Sequence, residues 1–125
     1  MIEFTKLHEG RILQLTLTGK LSREDYKHFL PEIEQLIETH GKISILMFMV
    51  DFHGWTAGGL VEDTQFAVRH ARHIDRIAMV GDKKWEHGMA VVCKPFTSAE
   101  IRFFEPSQAA DARAWVEHGA KAEAA

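Results

Sequence analysis

Apolar and polar residues alternate at the start of the chain with the two-residue period of a β-strand. The alternation runs from Ile2 to Leu7, is interrupted by His8-Glu9-Gly10, and resumes through Leu13, Leu15 and Leu17. Because successive side chains of a strand point to opposite faces, this pattern predicts a hairpin of two strands.

A helix is predicted between Ser22 and Gly41. Its inner face is one apolar stripe at helical spacing: Tyr26, Phe29, Leu30, Ile33, Leu36 and Ile37. Ser22 can cap the helix, with Asp25 three residues later as the acid of a capping box, and Gly41 ends it. Pro31 lies within the stripe and predicts either a bend or a second helical segment that begins there.

Three further strands and three further helices are predicted in the rest of the chain. Ile43 to Val50 is apolar except for one serine, as expected of a central strand covered on both faces, and Asp51 marks its carboxyl end. Arg76 to Gly81 and Ile101 to Phe104 predict the other two strands.

Each of the three helices has a predicted inner face. The helix from Leu60 onward turns inward Leu60, Val61, Thr64, Ala67, Val68, Ala71 and Ile74, and turns towards water Phe66, Glu62, His70 and His73. The next helix packs through Trp85, Met89, Val92 and Cys93 and stops before Pro95. The last helix is capped by Ser107 and packs through Ala110, Ala114 and Trp115.

This element order predicts an α/β fold with a mixed five-stranded sheet and about four helices. Strand-helix-strand units make most of the sheet parallel, and the opening hairpin adds an antiparallel edge. We expect one domain over residues 1–118 and a frayed tail over residues 119–125.

Composition narrows the setting of the protein. A chain of 125 residues, 46% apolar, can bury the core of one domain. The single Cys93 cannot form an internal disulfide, so a reducing cytoplasm is the expected location. The apolar runs are too short to cross a bilayer. The net charge is −3, and positive and negative residues are interspersed along the chain. We therefore expect no transmembrane segment and no nucleic-acid partner.

A candidate binding site lies where two strands end, because ligands of open α/β sheets bind at the carboxyl ends of strands. The large apolar side chains Trp55, Phe66, Trp85, Val91 and Phe96 are more than the inner faces require, and lysines lie beside them. The predicted ligand-binding or membrane-binding residues are Trp55, Phe66, Lys83, Lys84, Trp85, Met89, Val91 and Phe96. The predicted loop walls are Asp51, His53, Thr56, Gly58 and Gly59. Such a surface suits a lipophilic pocket, an anionic membrane surface or a partner subunit. For Trp85 and Phe96, burial in the core is the alternative.

Known catalytic and nucleotide-binding motifs are absent from the sequence. There is no G-x-G-x-x-G, no phosphate-binding G-x-x-x-x-G-K-[ST] and no G-x-S-x-G elbow. Lys94-Pro95-Phe96 with Asp51 suggests a phospho-acceptor receiver domain, but Leu17 is not followed by the carboxylates that would hold magnesium. An enzyme would need Asp51 and His53 to converge on one open pocket.

A metal site is also not expected. His70 and His73 share one predicted helical face, and His53 is close to Asp51, but no third ligand stands at motif spacing. Cys93 lies on an inner stripe, where a thiol acts as a small apolar side chain. We therefore expect no metal and no cofactor.

Several segments resemble the SpoIIAA-like family of the STAS superfamily. They are Leu21 to Tyr26, Pro31, and Arg76 to Trp85 followed by Lys94-Pro95-Phe96, together with the element order. The resemblance implies a mixed sheet with helices mainly on one side and a non-enzymatic regulatory or ligand-binding role. Similarity of this superfamily to CRAL-TRIO lipid-transfer domains implies lipophilic ligands and membrane contact.

The resemblance also bears on a phosphorylation switch. Anti-sigma-factor antagonists of the superfamily carry Asp-Ser-Ser-Gly-Leu at a helix start and are phosphorylated on the second serine. The matching residues here are Thr56 to Leu60, which place Gly58 at the serine position. Glycine has no hydroxyl, so this switch is not expected.

Two functional hypotheses follow. The first is a cytoplasmic binding domain that binds a lipophilic small molecule or an anionic membrane surface between the Trp55 and Trp85 helices. If it binds a membrane, we expect it to be peripheral to the inner membrane. The second is a protein-interaction or regulatory module that binds a partner or forms a homodimer.

Overall fold

Five strands form one mixed sheet in the part of the chain that the computed structural model describes, which is residues 1–82, 86, 88 and 99–124. The strands are β1 (Ile2–Leu7), β2 (Ile12–Leu21), β3 (Ile43–Trp55), β4 (Ile74–Val80) and β5 (Glu100–Phe104). The α-helices of these residues are α1 (Arg23–His40), α2 (Ala57–His70) and α3 (Ala109–Ala124). Short 3₁₀ turns cover His8–Gly10, Ala71–His73 and Pro106–Gln108.

The sheet is mainly parallel with an antiparallel hairpin edge, as predicted from the sequence. Its strands are ordered β1-β2-β3-β4-β5, with β1 antiparallel to β2 and every later pair parallel. A short turn joins the first two strands, whereas parallel neighbours need crossovers. The α/β fold, the antiparallel hairpin edge and the central position of β3 are therefore confirmed.

Helix α1 has the predicted boundaries and inner face. Ser22 and Asp25 form a reciprocal capping box, and Gly41 follows the last turn with a φ of 80° that suits glycine. Most of the predicted stripe is buried, namely Tyr26, Phe29, Ile33, Leu36 and Ile37. The helix continues through Pro31. The alternative of a second segment that begins at Pro31 is wrong.

Strand β3 does not end at Asp51, as predicted, but continues to Trp55. Asp51 has a φ of 49°, in the left-handed region, and the register with β2 shifts around it: Leu17 pairs with Met49, but Gly19 pairs with Phe52. This is a bulge, in which an extra residue bends the strand, and the register shifts once more beyond it, where Lys20 pairs with Gly54. The bulge returns Phe52 to the core, where it is fully buried.

Helix α2 begins at Ala57, and its buried face is the opposite of the one predicted. Leu60, Val61 and Val68 are 51%, 46% and 80% exposed. Phe66, predicted to face water, packs against the core. The cause is tertiary: the backbone of the preceding segments lies directly against one side of α2, and only a glycine can face it there.

The two faces of the sheet carry different helices. Helices α1 and α2 cover one face, and α3 covers the other through Ala112 and Val116. The predicted inward residues Ala110 and Ala114 are exposed, whereas Trp115 is half-buried beside Arg76. Ser107 does not cap this segment, since Glu105 and Gln108 form the capping box of the 3₁₀ turn before it.

Parts of the sequence-based description stay untested. The predicted helix through Trp85, Met89, Val92 and Cys93 lies outside the described residues, apart from Glu86 and Gly88. The helix count is therefore three in the described residues, against about four predicted. The domain boundary at residue 118 and the fraying of residues 119–125 stay predictions, and α3 is continuous to Ala124.

Candidate functional site

A cavity of about 110 Å³ lies between the sheet and the two helices α1 and α2. In the described residues its wall is almost wholly apolar and comes from strands β1 to β4 and from both helices. The lining residues are Ile2, Leu15, Leu17, Leu21, Tyr26, Phe29, Ile33, Ile45, Met47, Trp55, Asp63, Phe66 and Met79. An apolar hollow with few polar groups is the usual form of a small-molecule site.

Three polar groups on this wall form one chain of hydrogen bonds. Trp55 donates from Nε1 to the hydroxyl oxygen of Tyr26 over 2.9 Å, and the Tyr26 hydroxyl donates to Oδ1 of Asp63 over 2.8 Å. Each residue belongs to a different element: β3, α1 and α2. The chain therefore fixes the position of both helices against the end of the central strand.

Burial changes the acid-base properties of this chain. It raises the pKa of Asp63 above the ordinary 3.8, because a carboxylate loses solvation there, although the hydrogen bond from Tyr26 acts in the opposite direction. Burial and the adjacent negative charge of Asp63 both raise the pKa of Tyr26. Tyr26 is therefore a neutral hydrogen-bond donor over the physiological pH range.

Exchanging Asp63 for Asn tests this raised pKa. Above the unfolded pKa of 3.8, the unfolded chain releases the Asp63 proton before the folded protein does, so ionisation of Asp63 lowers stability as pH rises through the folded pKa. Asparagine still accepts from Tyr26 but does not ionise. We expect the free energy of unfolding of Asp63→Asn, relative to the parent, to rise between about pH 4 and 7, by about 1.4 kcal/mol per unit of pKa difference.

Urea denaturation of both proteins across this pH range measures the effect. Asp111→Asn, on the exposed first turn of α3, is the control for loss of one acidic group. A difference between Asp63→Asn and the parent that does not change with pH would contradict the raised pKa.

The start of α2 is held by Thr56 and Gly59. The Thr56 hydroxyl accepts from the backbone N–H of Gly59 over 3.1 Å, and the Thr56 N–H donates to the Leu21 carbonyl over 2.9 Å. This is helix capping by a side-chain oxygen. A Cβ on Gly59 would overlap the Leu21 carbonyl oxygen and lie 2.8 Å from its carbon. These contacts set the rotation of α2 that brings Asp63 and Phe66 to the cavity.

The described part of the predicted site divides into three groups. Trp55 and Phe66 line the cavity, while Thr56, Gly58 and Gly59 form the start of α2. Asp51 and His53 are exposed on β3 and are not among the lining residues, so they do not converge there. The remaining predicted residues lie outside the described ranges: Lys83, Lys84, Trp85, Met89, Val91 and Phe96.

Sequence reasoning missed Tyr26 and Asp63 as site residues. Tyr26 was placed in the core stripe of α1, and Asp63 was given no role. The available signal was the helical spacing of Gly59, Asp63 and Phe66, which puts a glycine, an acid and an aromatic ring on one face. Hydrophobicity alone favoured the other face.

His70, at the end of α2, and His73, in the 3₁₀ turn that follows, are partly buried, although both are predicted to face water. The Nδ1 atoms of His70 and His73 are 3.4 Å apart, and Nε2 of His70 is 3.6 Å from Oε1 of Glu34. The side chain of His70 is 12% exposed. Within the described ranges, there is no group of three or more histidine, cysteine or acidic residues that could hold a metal ion.

The sequence of this chain matches that of a known protein family. The family model described as SpoIIAA-like matches residues 12–117. The chain belongs to the SpoIIAA-like family. Its relation to that family covers β2 to α3, including both helices and the strand end that form the cavity.

A solved structure supports the assignment to the SpoIIAA-like fold. It is an uncharacterized protein of the DUF3478 family, with a SpoIIAA-like fold, from Shewanella loihica PV-4. It is 25% identical to this chain, the match covers 93% of this chain and 92% of that one, and the TM-score is 0.75. A search among curated proteins finds no match.

The SpoIIAA-like fold is that of a binding or regulatory domain and supports no more specific function. In this SpoIIAA-like chain, position 58 at the start of α2 is a glycine that lies close to Arg23. Glycine has no hydroxyl, so this position cannot be phosphorylated. None of the helices in the described residues is long and apolar enough to cross a membrane.

Proposed function

We propose that this SpoIIAA-like chain is a non-catalytic binding domain whose small lipophilic ligand occupies the cavity beneath α1 and α2. The observation that supports it is the apolar wall with one inward chain of polar groups, Trp55, Tyr26 and Asp63. Apolar contact supplies the affinity, about 25 cal/mol per Å² of buried area, and the polar chain orients the ligand.

The cavity volume limits the ligand. An engineered protein cavity of about 150 Å³ binds benzene, so about 110 Å³ suits a ligand of about five carbons. A longer chain requires α2 to move. That helix is the less firmly packed wall, since Gly59 is its one buried residue in the described ranges and three of its large apolar side chains face solvent.

Filling the cavity tests the proposal. Leu17 lines it and is 4% exposed, and a phenylalanine there occupies space that the ligand needs. We expect Leu17→Phe to weaken the binding of cyclopentanol, measured by calorimetry or by chemical shifts of the Trp55 indole, by about tenfold or more. Equal binding to the parent and to Leu17→Phe contradicts the proposed site.

Two measurements control this experiment. Leu60→Phe makes the same exchange on the exposed side of α2 and is expected to leave binding unchanged. Circular dichroism and thermal unfolding of Leu17→Phe show whether the fold persists. Lipid extraction and mass spectrometry of the purified parent then identify any natural ligand.

The rest of the predicted binding site, around Lys83, Lys84, Trp85 and Phe96, lies outside the described residues and stays a prediction. Its lysines suit an anionic membrane surface, and its apolar residues suit insertion into the headgroup region. Sedimentation with vesicles that contain an anionic phospholipid tests this version of the function separately from the cavity.

An exposed apolar stripe on α2 favours a second candidate function, contact with another protein. Its members are Leu60, Val61 and Val68. A second copy of the chain is the simplest occupant, because one helix face can pair with itself across a two-fold axis. A discrete dimer in light scattering that Val68→Lys dissociates, with no copurified amphiphile, would favour this function over ligand binding.

A further inference from the structure

We propose that the cavity selects its ligand by the polar end. It takes small amphiphiles whose head group donates a hydrogen bond, such as an alcohol or a protonated amine, and it excludes carboxylates of the same size. This inference rests on the proposed function, because it concerns the same cavity, and it names the class of ligand.

The hydrogen-bonding capacity of the wall supports this selection. Among the described residues that line the cavity, only Trp55 and Tyr26 have a side-chain N–H or O–H bond apart from the carboxyl of Asp63. The Trp55 N–H is used by Tyr26, and the Tyr26 hydroxyl proton is used by Asp63. Both donors are therefore occupied before a ligand enters.

What remains for a ligand is an acceptor. Asp63 accepts from Tyr26 through Oδ1, and within the described residues its other carboxyl oxygen, Oδ2, is in no hydrogen bond. A carboxylate can accept several hydrogen bonds and donates none when ionised. A ligand hydroxyl or ammonium group matches Oδ2, whereas a ligand carboxylate offers only further acceptors.

Charge acts in the same direction. No lysine, arginine or histidine is among the lining residues, so nothing on the described wall compensates a negative ligand. A carboxylate beside Asp63 would bring two acidic groups together in apolar surroundings, where they cannot both ionise without a large cost. An ammonium group would instead form a charge-assisted hydrogen bond with Asp63.

Four probes of five carbons each test the selection with the full chain: cyclopentane, cyclopentanol, cyclopentylammonium and cyclobutanecarboxylate. We expect the alcohol and the ammonium ion to bind at least about tenfold more tightly than the carboxylate at neutral pH. We also expect the ammonium ion to bind more tightly than the alcohol, because it forms a charge-assisted hydrogen bond with Asp63, and we expect Asp63→Asn to remove this preference. Asp111→Asn, outside the cavity, is expected to keep it.

The outcomes separate this inference from the proposed function. Binding of the carboxylate as tight as that of the alcohol overturns the head-group selection and leaves the cavity as a binding site. Failure of all four probes to bind overturns both. The relative affinities of the parent protein for the alcohol and the carboxylate test the inference without any variant. The test therefore holds even if Asp63→Asn does not fold.

Discussion

Gly59→Ala is expected to lower the free energy of unfolding by about 3 kcal/mol or more, because the new methyl group meets backbone that cannot rotate away. The added Cβ would overlap the carbonyl oxygen of Leu21 and lie 2.8 Å from its carbonyl carbon and 3.3 Å from that of Ser22. Relief requires α2 to move away from the junction of β2 and α1. Such a shift would separate Asp63 from Tyr26, so we also expect a changed Trp55 fluorescence.

The neighbouring glycine provides a matched control. A Cβ on Gly58 would lie 3.4 Å from the Cβ of Arg23, which is an ordinary contact with a flexible side chain. Alanine favours a helix over glycine by about 1 kcal/mol, so Gly58→Ala is expected to be neutral or stabilising. Urea denaturation compares the two variants. Equal stability of Gly59→Ala and Gly58→Ala would show that the close contact does not hold α2 in place.

Tyr26→Phe is expected to lower the free energy of unfolding by about 2–4 kcal/mol, the second large effect. The Tyr26 hydroxyl accepts a hydrogen bond from the Trp55 indole N–H and donates one to the Asp63 carboxyl group. Its removal leaves both of these groups without that partner. The ring itself is retained, and the loss therefore reports the polar chain and not the packing.

Two further variants refine this measurement. Thr39→Val removes an exposed hydroxyl at the end of α1 and is expected to cost little. In Tyr26→Phe with Asp63→Leu, the acidic group is absent as well, so we expect part of the lost stability to return. A loss below about 1 kcal/mol in Tyr26→Phe would contradict the structural role of the chain.

The elements with strong local signals were predicted well. The hairpin follows from alternation, α1 from its capping box and apolar stripe, and the central strand from a continuous apolar run. In each case the residues that form the element also determine which side is buried. The mainly parallel sheet followed because strand-helix-strand units join parallel neighbours through crossovers.

Predictions failed where local and tertiary preferences disagree. The apolar residues Leu60, Val61 and Val68 indicated the wrong inner face of α2. Periodicity measures which side of a helix is more hydrophobic, but it does not include the shape of the surface that the helix meets. At α2 that surface is the Leu21 carbonyl group, against which a side chain does not fit. The end of β3 was misplaced for a related reason, since a bulge at Asp51 has no periodic signal.

By itself the sequence determined the class of fold, the antiparallel hairpin edge, the limits of α1 and the lack of a hydroxyl at Gly58. These depend on propensities and contacts within short segments, which local residues control. The tertiary structure alone decided that Trp55, Tyr26 and Asp63 meet, because residues from β3, α1 and α2 come together only when both helices are docked on the sheet. The cavity exists for the same reason: its volume is the space left between surfaces whose distance and rotation no single segment specifies.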